Sequence, residues 1–585
     1  MFQAEALFKA SEPVRVVLLS LNSQYVHSSL APWCLAAGLE RYAAPGFVTR
    51  VLEGTVNEAP EAVLGRIEAA APQLLGISCA IWNITFIAGL LPQIRASLPG
   101  CVIVLGGPEV SHRAQDALKS YQQADLLIAG EGELPVARLL DALRGLIPPE
   151  EVPGLCYRRG AGFVIREPFA HADMQPSPYS PAYLEALGGR IAYLETSRGC
   201  PYRCAFCLSG GEEGLRTVPP ERAYKEILLL ANSGAGTIKL VDRTFNAGRA
   251  RALDILRFIA DHHGREIPPG VTFHFEIAGD LLDEDTLALI EAASAGLFQF
   301  EIGLQSMDEA TLRRVRRGTD MAHLTRQVTR LIRCGMAHVH LDLIAGLPGE
   351  GLEAFARGFD AAFALRPHAL QLGFLKLIHG SAMRREQDLF PCDYDPLPPY
   401  QVRSTPWLSE EDLAALKTAE RALDKLYNSG RFRRTLRWLT EEGGREPFGL
   451  FLALGTSIAQ AEAAAAEGRL SLEALTNCVY QSLGELMPGR LPLLRDLMLQ
   501  DRFSSTPTSV LPACLKRKDP RLQAVKRALK TRFPCPEGVT RSIGFLYAGE
   551  EDRVVFCDYA PGGADAVTGE YPLVYIEARM LSTAG

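Results

Sequence analysis

Three cysteines in one short run constrain this chain more than any other feature. Cys200, Cys204 and Cys207 are separated by three and then two residues, so three thiols can fold around one inorganic cluster. A 4Fe-4S cluster normally takes four cysteines, and this run therefore leaves one iron open to an outside ligand. Gly199 and Pro201 suit a loop that wraps closely around such a core. The run predicts an iron–sulfur site with an open iron.

The alternatives for this run are a zinc site or a chance grouping. Structural zinc takes four ligands, usually in two pairs, but no cysteine follows before Cys334. The next histidines, His262 and His263, stand at a predicted helix end. The iron–sulfur interpretation therefore fits the run better.

The rest of the composition indicates an intracellular enzyme. A length of 585 residues predicts three or four domains. The chain has thirteen cysteines, and those outside the cluster run are scattered, which suits reduced thiols better than disulfides. Residues 1–6 lack the basic-then-apolar form of a signal peptide. We predict a cytoplasmic protein.

Two kinds of partner are disfavoured by the sequence. The formal charge of −7 argues against a broad nucleic-acid surface, although a local basic patch stays open. Residues 74–92 carry no charge and approach membrane-spanning length, but glycine, polar residues and Pro92 interrupt them. A strand, a loop and a helix account for this segment better than a membrane span.

The first 150 residues alternate between short apolar strands and helical segments. Strands are predicted at 14–20, 47–53, 74–79, 101–105 and 126–129. Near-continuous apolar strands separated by helices indicate a parallel sheet covered on both faces. Ligands bind beyond the carboxyl ends of the strands in such sheets, so the loops after these strands are candidates for a binding site.

A second alternating series begins at Ile191. Strands are predicted at 191–195, 237–241, 271–277, 298–302, 338–344 and 370–375, with helices between them. Six such units make a partial (β/α)6 barrel of the TIM type, whose chemistry sits at the carboxyl ends of the strands. The cysteine run falls directly after the first strand, as this position requires.

The cysteine run, with Phe206 in its aromatic position, resembles the signature of radical S-adenosylmethionine (radical SAM) enzymes. In that family the open iron chelates the amino and carboxylate groups of SAM, and electron transfer cleaves SAM to a 5′-deoxyadenosyl radical. The cluster ligands implied are Cys200, Cys204 and Cys207. Strand-end residues similar to the family's SAM contacts, with Arg316 preferred over Arg314 and Arg317, are Phe206, Asp242, Glu276, Glu301, Gln305, Arg316 and Gly346.

The loops Gly106-Gly-Pro-Glu109 and Gly130-Glu-Gly-Glu133 resemble those of the cobalamin-binding domain that precedes many radical SAM domains. The family motif Asp-x-His-x-x-Gly, which supplies a histidine to cobalt, is absent. The resemblance therefore implies cobalamin without a protein histidine on cobalt, although His27 lies in the corresponding loop. The cobalamin contacts implied are Asn22, Ser23, Tyr25, His27, Ser78, Gly106, Gly107, Pro108, Glu109, Glu131, Gly132 and Glu133. A degenerate Rossmann-like domain without a cofactor is the alternative.

The domain organisation follows from these patterns and from proline-rich boundaries. We predict a Rossmann-like cobalamin-binding domain at 1–150, a linker at 151–190, a radical SAM barrel at 191–400 and a C-terminal domain at 401–585. The last domain is predicted to be mainly helical with a small terminal β element. It resembles the extension of one uncharacterised group of cobalamin-type radical SAM proteins and carries no catalytic motif.

The resemblance implies a cobalamin-dependent radical SAM enzyme with an unknown substrate and an external reductant such as flavodoxin or ferredoxin. The first interpretation is methylation of an unactivated carbon through methylcobalamin. The second is another radical reaction, such as cyclisation, oxidation or rearrangement. A non-catalytic iron–sulfur or cobalamin sensor is the third. No catalytic side chain, and no oligomeric state, follows from the sequence.

Overall fold

The computed structural model describes residues 7–8, 12–211, 214–508, 510–549 and 552–582. The predicted absence of a signal peptide concerns residues 1–6, which lie outside this range. Within the range, no helix is long and apolar enough to cross a membrane. The chain divides into two compact units. The first contains 1–289, 313–318 and 374–405, and the second contains 290–312, 319–373 and 406–585.

The first unit begins with a mixed sheet in the strand order β2-β1-β3-β4-β5-β6-β7. The first five strands are parallel, and the last two add antiparallel to β5. The predicted strands are confirmed within two residues. The sheet consists of β1 (Val14–Asn22), β2 (Phe47–Thr55), β3 (Leu74–Ser78), β4 (Val102–Gly106), β5 (Leu126–Ile128), β6 (Leu155–Arg159) and β7 (Gly162–Val164).

Helices cover both faces of this sheet. Alternate residues of β1 therefore pack into two separate cores. Val17 and Leu19 pack in one core with α2 and α3, whereas Val16 and Leu18 pack in the other with α1 and α6. Burial on both faces explains the continuous apolar strands. The helices are α1 (Ala31–Tyr42), α2 (Pro60–Ala70), α3 (Ile84–Ser97), α4 (Pro108–Ser111), α5 (Ala114–Ser120) and α6 (Glu133–Leu143).

The segment predicted as a linker is partly structured. Its residues 155–164 form the β6–β7 hairpin, which pairs with β5 and belongs to the amino-terminal sheet. Gly160 makes the turn of this hairpin in the left-handed conformation, with φ +59°. The segment ends in α7 (Pro181–Leu187), whose first turn is capped by Ser180.

The first unit also contains the early part of the central domain. Strand β11 pairs in parallel with β8 and β12, and a short antiparallel pair, β9 and β10, follows β8. These elements are β8 (Ala192–Leu194), β9 (Ser197–Arg198), β10 (Arg216–Thr217), α8 (Pro220–Ala231), β11 (Thr237–Leu240), α9 (Arg249–His262), β12 (Thr272–Ile277) and α10 (Glu284–Ala292).

The later strands of the central domain fall mostly in the second unit, where β13 and β14 run parallel. All six predicted central strands are present. The remaining central elements are β13 (Phe298–Gln305), α11 (Glu309–Arg314), α12 (Met321–Arg333), β14 (Ala337–Ala345), α13 (Leu352–Ala364), β15 (Ala369–Phe374), α14 (Ala382–Arg385), β16 (Asp393–Tyr394) and β17 (Val402–Ser404).

The C-terminal region is mainly helical and shares its core with the central domain. Phe359 and Phe363 of α13 pack against Phe451, with ring centroids 5.9 and 5.5 Å away. An antiparallel sheet of β18, β19 and β20 lies near the end of the region, where a small β element was predicted, and a short helix follows it. Its elements are α15 (Glu410–Ala422), a π-helix (Leu423–Asn428), α16 (Arg433–Glu441), α17 (Pro447–Ala464), α18 (Leu472–Leu486), α19 (Leu491–Ser505), α20 (Leu522–Arg532), β18 (Arg541–Leu546), β19 (Arg553–Asp558), β20 (Val574–Glu577) and α21 (Ala578–Ser582).

Candidate functional site

The three motif cysteines lie in a loop whose ends are held together by the β9–β10 pair. Gly199 enters the loop with φ +94°, and a Cβ there would lie 2.2 Å from the carbonyl oxygen of Gly214. Only glycine fits this entry point. The amide of Cys207 donates to the carbonyl of Cys204 at 3.1 Å, which turns the backbone tightly between the last two thiols.

The loop cysteines are reduced, and two of them have polar neighbours. Cys200 Sγ lies 3.4 Å from Thr244 Oγ1, and Arg317 Nη1 donates to Cys204 Sγ at 3.8 Å. Burial raises the pKa of the Cys204 thiol, although the positive charge of Arg317 opposes this shift. Within the described residues, no three metal-binding side chains are grouped as they would be around one ion. Cluster cysteines bind separate irons, so they do not need that grouping.

Asp242 lies beneath the root of this loop and is fully buried. Its carboxylate accepts hydrogen bonds from the Thr196 amide at 2.8 Å, the Thr196 hydroxyl at 2.5 Å and the Ser197 hydroxyl at 2.6 Å. Arg251 adds an ion pair at 3.1 Å. These contacts occupy both carboxylate oxygens. Asp242 therefore holds the start of the loop in place, and its contact with the SAM ammonium stays a prediction.

Arg198, immediately before the loop, is the centre of a buried charge cluster. It pairs with Glu195 at 2.8 Å, with Glu133 at 2.6 Å and with Glu131 at 3.3 Å. Arg216 provides a second cation for Glu131. Burial alone would raise the pKa of Glu131, but hydrogen bonding from Arg216 and the charge of Arg198 lower it. The cluster therefore ties the loop after β5 to the root of the cysteine loop.

A cavity of about 330 Å³ lies between this cluster and the carboxyl end of the amino-terminal sheet. Glu195, Arg198 and Val241 of the central domain form one side of it. Predicted cobalamin-binding residues form much of the other side, together with Gly130 and apolar residues of α1. Those predicted residues are Ser78, Gly106, Gly107, Glu131, Gly132 and Glu133. The motif cysteines and Asp242 do not belong to the lining.

The cavity wall depends on glycine at two positions. Gly107 and Gly130 have φ values of +102° and +91°. A Cβ at Gly107 would lie 2.5 Å from the Cys79 carbonyl oxygen, and one at Gly130 would lie 2.1 Å from that of Phe169. Both loops are therefore fixed against neighbouring backbone, and flat ligand surfaces can approach their main chain.

The other predicted cobalamin-binding residues do not line this cavity. His27 is held by Tyr193, with 2.8 Å between His27 Nδ1 and Tyr193 Oη, and Asn22 donates to the His27 carbonyl at 2.9 Å. Burial and the charge of Lys239 lower the pKa of His27. Ser23 and Tyr25 are exposed on the same loop.

Glu109, just after Pro108, is buried and does not line the cavity. It accepts a hydrogen bond from the Tyr400 hydroxyl and pairs with Arg113 at 3.0 Å. His379 lies 3.9 Å from the same carboxylate. Glu109 therefore connects the loop after β4 to the segment that follows β15, within the first unit.

Among the predicted SAM contacts, Phe206 is half-buried in the cysteine loop, and Glu276 pairs with Lys239 at 3.5 Å. Arg316 contacts Glu386 at 3.1 Å and Phe390, whereas its neighbour Arg317 reaches Cys204. The preference for Arg316 as the arginine that binds the SAM carboxylate stays a prediction. In the second unit, Glu301 lies on β13, Gln305 ends it with φ +66°, and Gly346 follows β14 with φ +96°.

Sequence reasoning missed Arg198 as an important residue, and it ranked Arg317 behind Arg316. Arg198 stands two residues before Cys200, so its position could have drawn attention. Its partners Glu131 and Glu133 are more than sixty residues away, and no local pattern identifies such pairing.

Comparison with known protein families gives three adjacent matches. Residues 16–140 match the B12 binding domain, and residues 194–361 match the radical SAM superfamily. Residues 388–540 match a protein family of unknown function, DUF4080. The three matches stand in the same order along the chain as the three regions predicted from the sequence.

Among curated proteins, the chain is 28% identical over 321 residues to 2-(S-pantetheinyl)-carbapenam-3-carboxylate methyltransferase of Streptantibioticus cattleyicolor. The aligned region covers 51% of this chain and 46% of that protein. It is also 28% identical over 285 residues to the anaerobic magnesium-protoporphyrin IX monomethyl ester cyclase of Synechocystis, covering 46% of this chain and 55% of that protein. The chain thus spans about half the length of the curated relatives it matches.

Among solved structures, the cobalamin-dependent S-adenosylmethionine radical enzyme OxsB with aqua-cobalamin bound matches with a TM-score of 0.59. The match covers 84% of this chain and 80% of that chain at 15% identity, so it shows the fold alone. The fold thus combines a Rossmann-like B12-binding sheet, a central radical SAM parallel sheet and a helical C-terminal region. The chain thus contains a B12-binding domain, a radical SAM domain and a C-terminal domain that matches a family of unknown function.

Proposed function

We propose that this protein is a cobalamin-dependent radical SAM enzyme that methylates an unactivated carbon of a substrate still to be identified. The cavity of about 330 Å³ carries the proposal, because residues beside the cysteine loop and the glycine loops of the B12-binding domain line it together. Methyl transfer between two cofactors requires both to address one substrate, since oriented proximity supplies much of the rate. The carbapenam methyltransferase relative supports the same reaction class.

Cys200, Cys204 and Cys207 would hold the 4Fe-4S cluster. They are free of disulfides, the glycine entry at Gly199 lets the loop wrap closely, and the fourth iron position is left for SAM. Arg317 supplies positive charge beside Cys204, which favours a thiolate and hence metal binding. Asp242 holds the first residues of the loop in place.

Cobalamin would lie against the glycine loops at the edge of the amino-terminal sheet. Gly107 and Gly130 let these loops pack directly against neighbouring backbone, and apolar side chains form part of the lining. The cofactors supply the chemistry when bound, namely a 5′-deoxyadenosyl radical from SAM and a methyl group from cobalamin. The protein supplies orientation: Arg198 fixes the loop after β5 relative to the cysteine loop. Delivery of the electron by flavodoxin or ferredoxin is part of the proposal, and the cytoplasmic location stays a prediction.

The cluster assignment is tested with a triple variant. Anaerobically reconstituted wild-type protein should contain one 4Fe-4S cluster and form 5′-deoxyadenosine from SAM after reduction. The variant Cys200→Ala/Cys204→Ala/Cys207→Ala should lose both properties. The matched control, Cys478→Ala/Cys514→Ala/Cys535→Ala, removes three other free thiols and should keep both. Retained SAM cleavage in the first variant would refute the assignment.

The cobalt ligation is tested at His27, whose ring nitrogen already contacts Tyr193. The variant His27→Ala should bind cobalamin with an unchanged absorption spectrum. A spectral change specific to the loss of a nitrogen ligand would show that His27 binds cobalt.

A second reaction class is kept open by the cyclase relative, which matches a similar share of this chain as the methyltransferase. Product mass distinguishes the two classes. Methylation adds the mass of one methylene group to the substrate, whereas cyclisation adds no carbon. With SAM deuterated in its methyl group, methylation should transfer the label to the product, and an unlabelled product would favour the alternative.

A further inference from the structure

The C-terminal region contains its own cavity, of about 310 Å³, outside the elements that carry the cofactor motifs. Helix α19, the segment 511–519, helix α20 and strand β18 enclose it. Apolar side chains cover part of the wall, including Phe503, Leu522 and Ile543. The volume is at the lower end of the range for small-molecule sites, about 300–1,000 Å³.

The remaining wall is strongly basic. Arg495, Lys516, Arg517, Lys526 and Arg541 line the cavity, and Asp519 is the acidic residue among the lining residues. This concentration of positive charge contrasts with the formal charge of −7 for the whole chain. An acidic protein with a locally basic cavity indicates an anionic ligand at that place.

Some of these charges are neutralised within the protein. Arg495 pairs with Asp496 at 2.8 Å, and Arg541 Nη2 donates to Asp558 at 2.6 Å. Asp519 accepts from Arg521 at 2.6 Å and from the Tyr547 hydroxyl at 2.9 Å. The acidic residue of the wall is therefore already satisfied and does not compensate the other cations.

Three cations remain at the cavity without such compensation. Lys516, Arg517 and Lys526 are exposed and have no carboxylate within ion-pair distance among the residues that the structure describes. Arg517 lies over the ring of Tyr547, with its Cζ 4.7 Å from the centroid. The aromatic ring thus holds one of the three guanidinium and ammonium groups at the wall.

A second observation comes from inside the wall. Arg495 is only 6% exposed, and its Nη atoms donate to the carbonyls of Phe545 and Leu515 and to Asp496. Its Nε is buried and has no hydrogen-bond partner in the described part of the chain. Buried polar groups are normally paired, so the other hydrogen bonds fix the Arg495 guanidinium in the wall while one donor stays unused.

We propose that this cavity binds the phosphate group of a small molecule that also has an apolar part. Lysine binds phosphate as a point charge and arginine binds it by directed hydrogen bonds, and three uncompensated cations match a dianion better than a carboxylate. The apolar residues would contact the rest of the ligand. This site goes beyond the proposed function, because it uses neither the cluster nor cobalamin.

The test is calorimetric titration of the full-length, anaerobically purified protein with phenyl phosphate, inorganic phosphate and benzoate in phosphate-free buffer. We expect saturable one-to-one binding, tightest for phenyl phosphate because it offers both the dianion and an apolar ring. The variant Lys516→Ala/Arg517→Ala should lower the affinity for phenyl phosphate at least tenfold. The control Arg527→Ala/Lys530→Ala removes the same charge from exposed positions of α20 outside the lining and should keep wild-type affinity.

Three outcomes would overturn the proposal: no saturable binding, equal weakening by both double variants, or benzoate binding as tightly as phenyl phosphate. A single-stranded oligonucleotide serves as a further probe. If it binds and both double variants weaken it equally, the basic segment is an extended nucleic-acid surface and the cavity proposal is wrong. The cluster-free triple cysteine variant should still bind phenyl phosphate, so this test and the test of the proposed function can fail separately.

Discussion

The two cavities have almost the same volume, about 330 and 310 Å³, but are built in opposite ways. In the amino-terminal cavity part of the wall is glycine main chain, because Gly107 and Gly130 lie where any Cβ would collide with neighbouring carbonyl groups. The C-terminal cavity is shaped by long side chains, several of them exposed. A wall of main chain has one shape, whereas a wall of lysine and arginine side chains adapts to its ligand.

The buried arginines of the two cavities differ in how far carboxylates of the protein compensate their charge. Arg198 forms ion pairs with three glutamates, so its positive charge is fully compensated within the protein. Arg495 has one carboxylate partner and an unpaired Nε in the described part of the chain. The first arginine therefore serves to join two segments of the protein. The second leaves hydrogen-bonding capacity beside uncompensated cations, which suits ligand binding.

The largest effect is expected from removing the arginine that joins the segments. Arg198→Met leaves Glu133 and Glu195 buried without their cation, and breaking a buried pair costs about 3–5 kcal/mol in the free energy of unfolding. Chemical denaturation of the apo protein measures this loss, and cobalamin affinity should fall with it. Arg50→Met, at an exposed position of β2, is the control. A loss below about 1 kcal/mol, the range of surface pairs, would mean that the cluster does not hold the two segments together.

An intermediate effect is expected from the main-chain wall. Gly130→Ala places a methyl group against the Phe169 carbonyl in a left-handed conformation, which should lower the free energy of unfolding by about 1–3 kcal/mol and abolish cobalamin retention. Gly89→Ala, in α3 with no heavy atom within 4 Å of the new Cβ, should be neutral or stabilising. Absorbance of bound cobalamin and thermal unfolding check both. Equal behaviour of the two variants would remove the contrast between the cavities.

The smallest effect concerns the acidic residue of the C-terminal cavity. Hydrogen bonds from Arg521 lower the pKa of Asp519 to about 2. The carboxylate therefore contributes stability above its ordinary pKa, and this contribution is lost as the pH falls toward 2. Asp519→Asn should lower the free energy of unfolding by less than about 1 kcal/mol at neutral pH, as for a partly exposed pair.

Denaturation curves at pH 7 and pH 3 test this pH dependence. The difference between wild type and Asp519→Asn should shrink at the lower pH. A difference that grows as the pH falls would show that the pKa of Asp519 is not lowered.

Most of the fold was predictable because it is encoded in local patterns. The strands at 14–20 and 237–241 were found within two residues, since a parallel sheet buried on both faces requires continuous apolar runs. The β6–β7 hairpin lies in the segment predicted as a linker, because its glycines and the prolines on either side of it resemble a boundary. Its apolar residues Leu155 and Cys156 were the available signal, but their pairing with β5 depends on contacts nearly thirty residues away.

The candidate site shows the same division. The sequence by itself determined the cysteine spacing, the glycine loops and the order of the domains, because each depends on residues close together in the chain. Only the tertiary structure decided that Thr196, Ser197 and Arg251 occupy both carboxylate oxygens of Asp242. It also decided that Arg317 rather than Arg316 reaches the cysteine loop. The physical reason is that hydrogen bonds and ion pairs form wherever the fold brings charged groups together. A motif specifies which groups are present, and packing specifies which of them remain available to a ligand.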